Sequence, residues 1–261
     1  LDQVGFAAAI RWTAATSGAW RVMHEASAVY RLKEGNHQLV DAIAGELEGD
    51  IRLDSPVTKI EHDAQGATVT INGSETMRAR KVVLTSPLNI LHEFDINPPL
   101  SEVKLDASKT GTASQGVKLW IRVKGPIKPF FAYSTQHHPL SVVRTEFVGE
   151  DDAVLVAFGA DATRLDITSV EETQKALSAW RDDLEVLEIA AHNWGEDPYA
   201  RETWLISRPM EYTKSHAELQ RPEGNLHLAG TDYANLWGGF FDGAIESGFT
   251  VARQISQELA A

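Results

Sequence analysis

Hydrophobic and polar positions change rhythm twice along the chain. In the first thirty residues Trp12, Trp20, Val22, Met23 and Tyr30 are scattered among Ala, Thr and Ser, which predicts helical pieces ending near 31–36. From Asn36 the spacing turns helical, with Leu39, Ile43 and Leu47 on one stripe and an end around Gly49-Asp50. Short β runs follow at 51–53, 57–61, 68–71 and 77–80, with Asn72-Gly73 as a hairpin signal between the last two. Lys81-Val-Val-Leu-Thr-Ser-Pro87 reads as a buried strand reaching a turn.

The second half alternates. In Gly116-Val-Lys-Leu-Trp-Ile-Arg-Val123 the positions Val117, Leu119, Ile121 and Val123 share one face, with Lys118, Trp120 and Arg122 on the other. The loop 125–129, an aromatic run at 130–133 and strands at 142–148 and 154–159 follow. Ser169-Val-Glu-Glu172 is a capping box, opening a helix that buries Leu177, Trp180, Leu184 and Leu187. No internal repeat or low-complexity tract interrupts this order.

The last fifth carries the densest signal. Leu226 to Ala229 is a short apolar strand running into a Gly-Thr turn, an aromatic and glycine cluster, and a helix with Ala244, Gly248, Ala252 and Ile255 at helical spacing. Gly238 and Gly239 lack side chains where that helix begins, so backbone N–H groups can come directly against a flat or anionic ligand. A plain turn before an amphipathic helix has the same pattern, and local physics alone leaves both readings open.

Composition narrows the classes. With 261 residues the chain can bury a sizeable core, as one large domain or two small ones. Its 43% hydrophobic and 23% charged content is that of a soluble globular protein, with no apolar run near the roughly 18 residues of a membrane span. A formal charge of -13 without a basic cluster argues against a nucleic-acid partner. The absence of cysteine excludes disulfides and a cysteine nucleophile. His137-His138 is not at metal-ligand spacing, and no Gly-x-Ser-x-Gly elbow marks a hydrolase, so neither a metal nor a hydrolytic site is expected. A cytoplasmic location is expected in preference to a secreted one, although no compartment is fixed.

The C-terminal segment resembles the flavin-contact motif of the FAD-dependent amine oxidases, the family of monoamine, polyamine and L-amino-acid oxidases. Their pattern is Ala-Gly-Thr-Glu, then Trp-x-Gly-aromatic, then Gly-Ala-x-Glu-Ser/Ala-Gly. Here it stands as Ala229-Gly-Thr-Asp232, Trp237-Gly-Gly-Phe240 and Gly243-Ala-Ile-Glu-Ser-Gly248, with Asp232 replacing the usual Glu. Ser55-Pro-Val-Thr-Lys-Ile60, the hairpin and Val82-Val-Leu-Thr-Ser-Pro87 also follow the family order. The resemblance runs from about Arg31 to Ile255. The family's opening Gly-x-Gly-x-x-Gly turn, which holds the FAD pyrophosphate, is not in this sequence.

The resemblance implies a mixed α/β (α+β) fold, the C-terminal portion of a two-domain FAD-linked enzyme. A flavin-binding part is expected over 36–114 and 206–261, and a substrate-binding part over 1–35 and 115–205. The implied cofactor is FAD, bound non-covalently through Val57, Pro87, Trp194, Gly230, Thr231, Asp232, Trp237, Gly239, Phe240 and Phe241. Lys118, by itself a solvated lysine on a strand's polar face, maps onto a lysine that holds a water against the flavin. Trp204 and Phe240, by themselves core aromatics, map onto a pair that sandwiches the amine; Phe240 stands where Tyr is commoner.

The implied reaction is oxidation of an amine to an imine, hydrolysis to a carbonyl product, and flavin reoxidation by dioxygen, giving hydrogen peroxide, or by another acceptor. The expected partners are the small-molecule amine and a second polypeptide or missing N-terminal segment bearing the pyrophosphate turn; a homo-oligomer is possible. Alternatives are an L-amino-acid oxidase, a flavin-dependent desaturase or isomerase of the same superfamily, and a non-catalytic chain that stabilises a flavoprotein assembly. The chain begins at Leu1 without Met, and a longer precursor or a two-chain enzyme is expected.

Overall fold

Apolar spacing and turn chemistry place most elements in the computed structural model, which describes residues 3–135 and 137–260. Leu1, Asp2 and Ala261, the outermost residues of the expected 1–35 and 206–261 ranges, lie outside the described residues. The helices are α1 (Phe6–Ala15), α2 (Trp20–His24), α3 (His37–Gly45), α4 (Glu102–Thr110), α5 (Val170–Ser178), α6 (Glu211–Leu219) and α7 (Phe241–Ala260). The first seven strands are β1 (Val57–Asp63), β2 (Gly66–Ile71), β3 (Glu75–Ala79), β4 (Val82–Leu84), β5 (Asp95–Asn97), β6 (Val117–Lys124) and β7 (Phe131–Tyr133). Four more complete the set: β8 (Val142–Val148), β9 (Asp152–Gly159), β10 (Val186–Ala191) and β11 (Leu226–Leu228). The mixed α/β content is the one expected. No helix among the described residues is long and apolar enough to cross a membrane.

The chain divides into two units, one of residues 1–86, 91–110 and 207–261, the other of 87–90 and 111–206. Residues 1–35 group with the first, where Gly5 N–H donates to Ser207 O at 2.7 Å. The first unit contains the sheet β3-β2-β1-β5 and a separate parallel pair, β4 with β11. Asn72 and Gly73 take the left-handed φ values of 51° and 73° that a tight hairpin requires, and β2 pairs antiparallel with β3 from Ile71↔Glu75. The run 51–53 forms no strand: Asp54 turns the chain at φ 50° and Leu53 is left exposed. The expected buried strand before Pro87 is a three-residue strand with Val83 exposed. α3 stops at Gly45, before the expected end, and its Ile43 and the following Leu47 are exposed.

The second unit is an antiparallel sheet in the order β10-β6-β9-β8-β7. Alternation decides it: Val117, Leu119, Ile121 and Val123 are buried while the residues between them are exposed. Their face packs with Val143, Leu155, Ala157, Leu165, Leu177, Leu184 and Val186 into one apolar core. Ser169 caps α5 by accepting the Glu172 N–H at 3.1 Å, but the Glu172 carboxylate takes the Asp166 N–H instead of closing the box. That helix ends at Ser178, short of the expected stripe. Leu184 reaches the core from the following turn, and Leu187 is exposed on β10, which has no counterpart among the expected strands.

Candidate functional site

In the first unit, β4 and β11 run parallel in the register Leu226↔Val82, His227↔Val83 and Leu228↔Leu84, so both deliver their C-terminal ends to one side. Ligands of parallel sheets bind outside such ends. β11 is buried throughout, and Ala229 N–H extends the pairing to Leu84 O at 3.1 Å. Gly230 then adopts φ 140° and ψ 177°, backbone that only glycine holds without strain. An added Cβ there would meet the Tyr233 ring at 3.6 Å, so conformation and not space demands glycine. Residues 231–233 make one 3₁₀ turn, secured where Tyr233 Oη donates to Ser86 O at 3.0 Å.

Thr231 fastens the second glycine loop to that turn. Its hydroxyl accepts the Gly239 N–H and donates to Phe240 O, so the side chain serves the loop's shape and leaves backbone for any ligand. Gly239 has φ 87°. Phe240 meets Trp237 edge-on at 5.5 Å and Trp12 at 6.3 Å. Phe241 is exposed at the first position of α7, whose leading N–H groups have no partner within the helix. Gly243 is forced: an added Cβ would lie 2.2 Å from Trp237 O. The buried positions of α7 are Gly243, Ser247 and Val251, one residue ahead of the expected stripe, and Gly248 and Ala252 are exposed. Ser247 explains the offset, since its Oγ accepts the Gly230 N–H at 3.2 Å and turns that face toward the cradle.

Two side-chain-free turns, the N-terminus of a 20-residue helix and Ser86 Oγ, buried without a hydrogen-bond partner among the described residues, stand on this loop set. They fit a flavin cofactor, which needs close backbone approach, N–H dipoles toward its anionic edges and a few polar contacts. Val57, by contrast, begins β1 in the other sheet, paired with Ile71. The buried Asp232 lies in the field of Arg11, which the motif does not contain, and Arg11 in turn neighbours Tyr212 and His216. No local pattern could have found Arg11, whose partner Ala234 is 223 positions away.

In the second unit Lys118 lies on the exposed face of β6, opposite Phe158. Its Nζ sits 4.6 Å over the Trp120 ring and 5.9 Å over the Phe158 ring. Partial burial pushes the ammonium pKa down; Glu146 opposes this and Arg144 adds to it. Arg144 and Glu146 pair at 3.1 Å across a bulge between Thr145 and Phe147, and Glu146 was not singled out by reading the chain locally. Trp204 packs on Phe158 at 6.0 Å and against Gly116, where an added Cβ would come 2.3 Å from the indole. Lys118 and Trp204 thus share one aromatic neighbour. Trp194 is exposed against His192, and Pro87 accepts the Ile90 N–H in a turn of the same unit.

A family model for flavin containing amine oxidoreductase matches residues 5–256. Pseudooxynicotine dehydrogenase of a Pseudomonas species is 33% identical over 261 residues, covering 99% of this chain and 52% of that protein. (S)-6-hydroxynicotine oxidase of Paenarthrobacter nicotinovorans is 29% identical, covering 82% of this chain and 49% of that protein. A triple mutant of putrescine oxidase superposes with a TM-score of 0.72 at 22% identity over 86% of this chain and 53% of its own, a likeness of fold. The chain spans about half the length of these relatives. With the cradle in place and the match running almost end to end, the chain belongs to the flavin-containing amine oxidoreductases.

Proposed function

We propose that this chain supplies the flavin cradle and a substrate-facing sheet of an enzyme that oxidises an amine at its C–N bond. The observation that carries this is the paired glycine turns at Gly230 and Gly239, held by Thr231 at the head of α7. When bound, the flavin supplies the acceptor for a hydride equivalent from the amine-bearing carbon and passes the electrons to dioxygen, with hydrogen peroxide as product, or to another acceptor. The N–H groups around Gly239 to Phe241 and the dipole of α7 stabilise negative charge on the flavin's pyrimidine edge. Gly230, Thr231 and Asp232 border its ribityl and phosphate part.

Lys118, its proton affinity lowered by its surroundings, orders a water beside the cofactor and exchanges a proton with it. Trp204 and Phe240 flank the amine with apolar faces that orient its nitrogen without neutralising it. Val57 and Pro87 serve the cofactor through backbone, and Trp194 and Trp237 through ring contact. Water hydrolyses the imine to the carbonyl product. Nicotine-type amines, carrying an aromatic ring beside an alkylamine nitrogen, are the favoured substrate class, since the names of two relatives point to them.

The pyrophosphate-binding turn comes from a further segment or a second polypeptide. The two-stranded parallel pair β4–β11 supports this, because parallel strands are stable in larger sheets covered on both faces. The test is anaerobic addition of pyridyl alkylamines to the flavin-bearing protein, followed by visible absorbance. Bleaching by such amines is expected, and peroxide release on admitting air would separate oxidase from dehydrogenase. A flavin that no amine bleaches would refute the reading.

A further inference from the structure

A buried charge cluster underlies the cradle and is not accounted for by the motif. Asp232 is the middle residue of the 231–233 turn, with only 6% of its surface exposed. Its carboxylate belongs to the residue two beyond Gly230, in the turn that the proposed cradle sets against the phosphate part of the cofactor. A buried carboxylate beside an anion is unfavourable unless a cation compensates it, because little water screens the repulsion.

The cation comes from α1. Arg11 Nη2 donates to Ala234 O at 3.0 Å, on the residue that closes the turn. The guanidinium also lies 4.9 Å over the Tyr212 ring, and its Nε is buried without a hydrogen-bond partner among the described residues. Tyr212 is itself stacked on His216 at 4.3 Å, so α6 also packs against Arg11. Burial lowers the Arg11 pKa, while Tyr212, Asp232 and Glu246 work to raise it. Glu246 is already engaged by Asn235 Nδ2 at 3.1 Å.

We propose that Arg11 is a positioning residue for the cofactor: its guanidinium neutralises Asp232 and anchors Ala234 O, so that the turn meets the anionic diphosphate with N–H dipoles and no net negative charge. Arg11 then acts through the turn without touching the flavin. The proposal rests on reading the Gly230–Phe241 loops as the flavin cradle, and it deepens that reading by dividing the labour. Glycine backbone binds, and a residue 219 positions before Gly230 sets the charge of what binds.

The experiment is a double-mutant cycle of Arg11→Met and Asp232→Asn in the full flavin-bearing polypeptide, read by the unfolding temperature of the flavin-free form and by FAD affinity in fluorescence titration. Arg11→Met should lower the unfolding temperature and weaken FAD binding by about tenfold or more, a loss that added salt partly relieves. Adding Asp232→Asn should recover both. Additive losses with no recovery would overturn the proposal. If the unfolding temperature recovers while FAD affinity never responds, the pair is coupled but does not position the cofactor, which also overturns it. Gly230→Val tests the cradle separately: undiminished FAD affinity there would remove the cradle reading itself. Arg11→Lys, which keeps the charge, should stay within a few-fold of the parent and stands in if Arg11→Met does not fold; an Arg11→Lys protein as weak as one lacking FAD contacts would count against charge compensation.

Discussion

The ammonium of Lys118 rests over two aromatic rings and within the fields of Glu146 and Arg144, all of them on strands other than its own except Trp120. That environment distinguishes it from an ordinary surface lysine and underlies its proposed proton-handling role. Lys118→Met should slow flavin reduction or reoxidation by about tenfold or more with flavin content unchanged, which stopped-flow absorbance would follow. Unchanged rates in both half-reactions would return Lys118 to the solvated face. Trp204→Ala and Phe240→Ala should each remove packing worth roughly 1–3 kcal/mol, felt as a raised KM or lowered kcat/KM for the amine while FAD stays bound. Because Trp204 also covers Gly116, its replacement must be read beside a melting curve. Unfolding or loss of FAD without a separable kinetic defect would make these residues structural.

At the scale of the element, α7 shows how one helix can require a glycine at one position and merely tolerate it at another. A methyl group on Gly243 would collide with the Trp237 carbonyl, whereas one on Gly248 meets nothing within 4 Å. Gly243→Ala should therefore cost about 1–3 kcal/mol by forcing the Trp237 loop off the helix start. Gly248→Ala, on an exposed helical face, should gain about 0.5–1 kcal/mol by restricting the unfolded chain. Chemical denaturation of the two variants checks the pair of signs. Equal effects from both would mean that the offset face of α7 is wrongly placed.

For the whole molecule, a buried histidine, His227, and a half-buried one, His216, tie stability to pH. Burial lowers the pKa of His216, with Arg11 adding to it, and lowers that of His227 against the opposing pull of Glu258, whose Oε2 lies 3.3 Å away. A histidine whose folded pKa is depressed binds its proton more readily when unfolded, so stability is full above the ordinary value of 6.5 and falls as pH drops below it toward the folded pKa. The unfolding temperature should decline on acidification through that window, and His227→Gln should flatten the decline. A profile unaffected by that change would place the acid sensitivity elsewhere. At the same scale, the chain alone should retain FAD weakly or not at all, and addition of a polypeptide carrying a pyrophosphate-binding glycine turn should restore it. Stoichiometric FAD surviving gel filtration on this chain by itself would contradict that proposal.

What the sequence determined by itself was whatever depends on neighbours within a few residues. The alternation of 117–123, the Ser169 cap, the Asn72-Gly73 hairpin and the strand, glycine turn and helix of the C-terminal segment all arise from local sterics, local hydrogen bonds and side-chain period. The family motif was legible for the same reason, since its glycines are needed where the backbone itself does the binding. Tertiary structure decided which of these elements found partners. Residues 51–53 had strand-like composition but only the Arg52 side chain reaches Glu75 on the edge strand β3, β5 became a strand by pairing parallel with β1, and α7 turned a different face inward because Ser247 met Gly230 N–H. Lys104, polar by any local reading, is fully buried because Glu223 and the Arg221 carbonyl, more than a hundred residues later, receive its ammonium. Arg11 meets Ala234 in the same way. Such contacts join segments that are far apart in the chain, and no window of sequence contains the partner that makes burying the charge affordable.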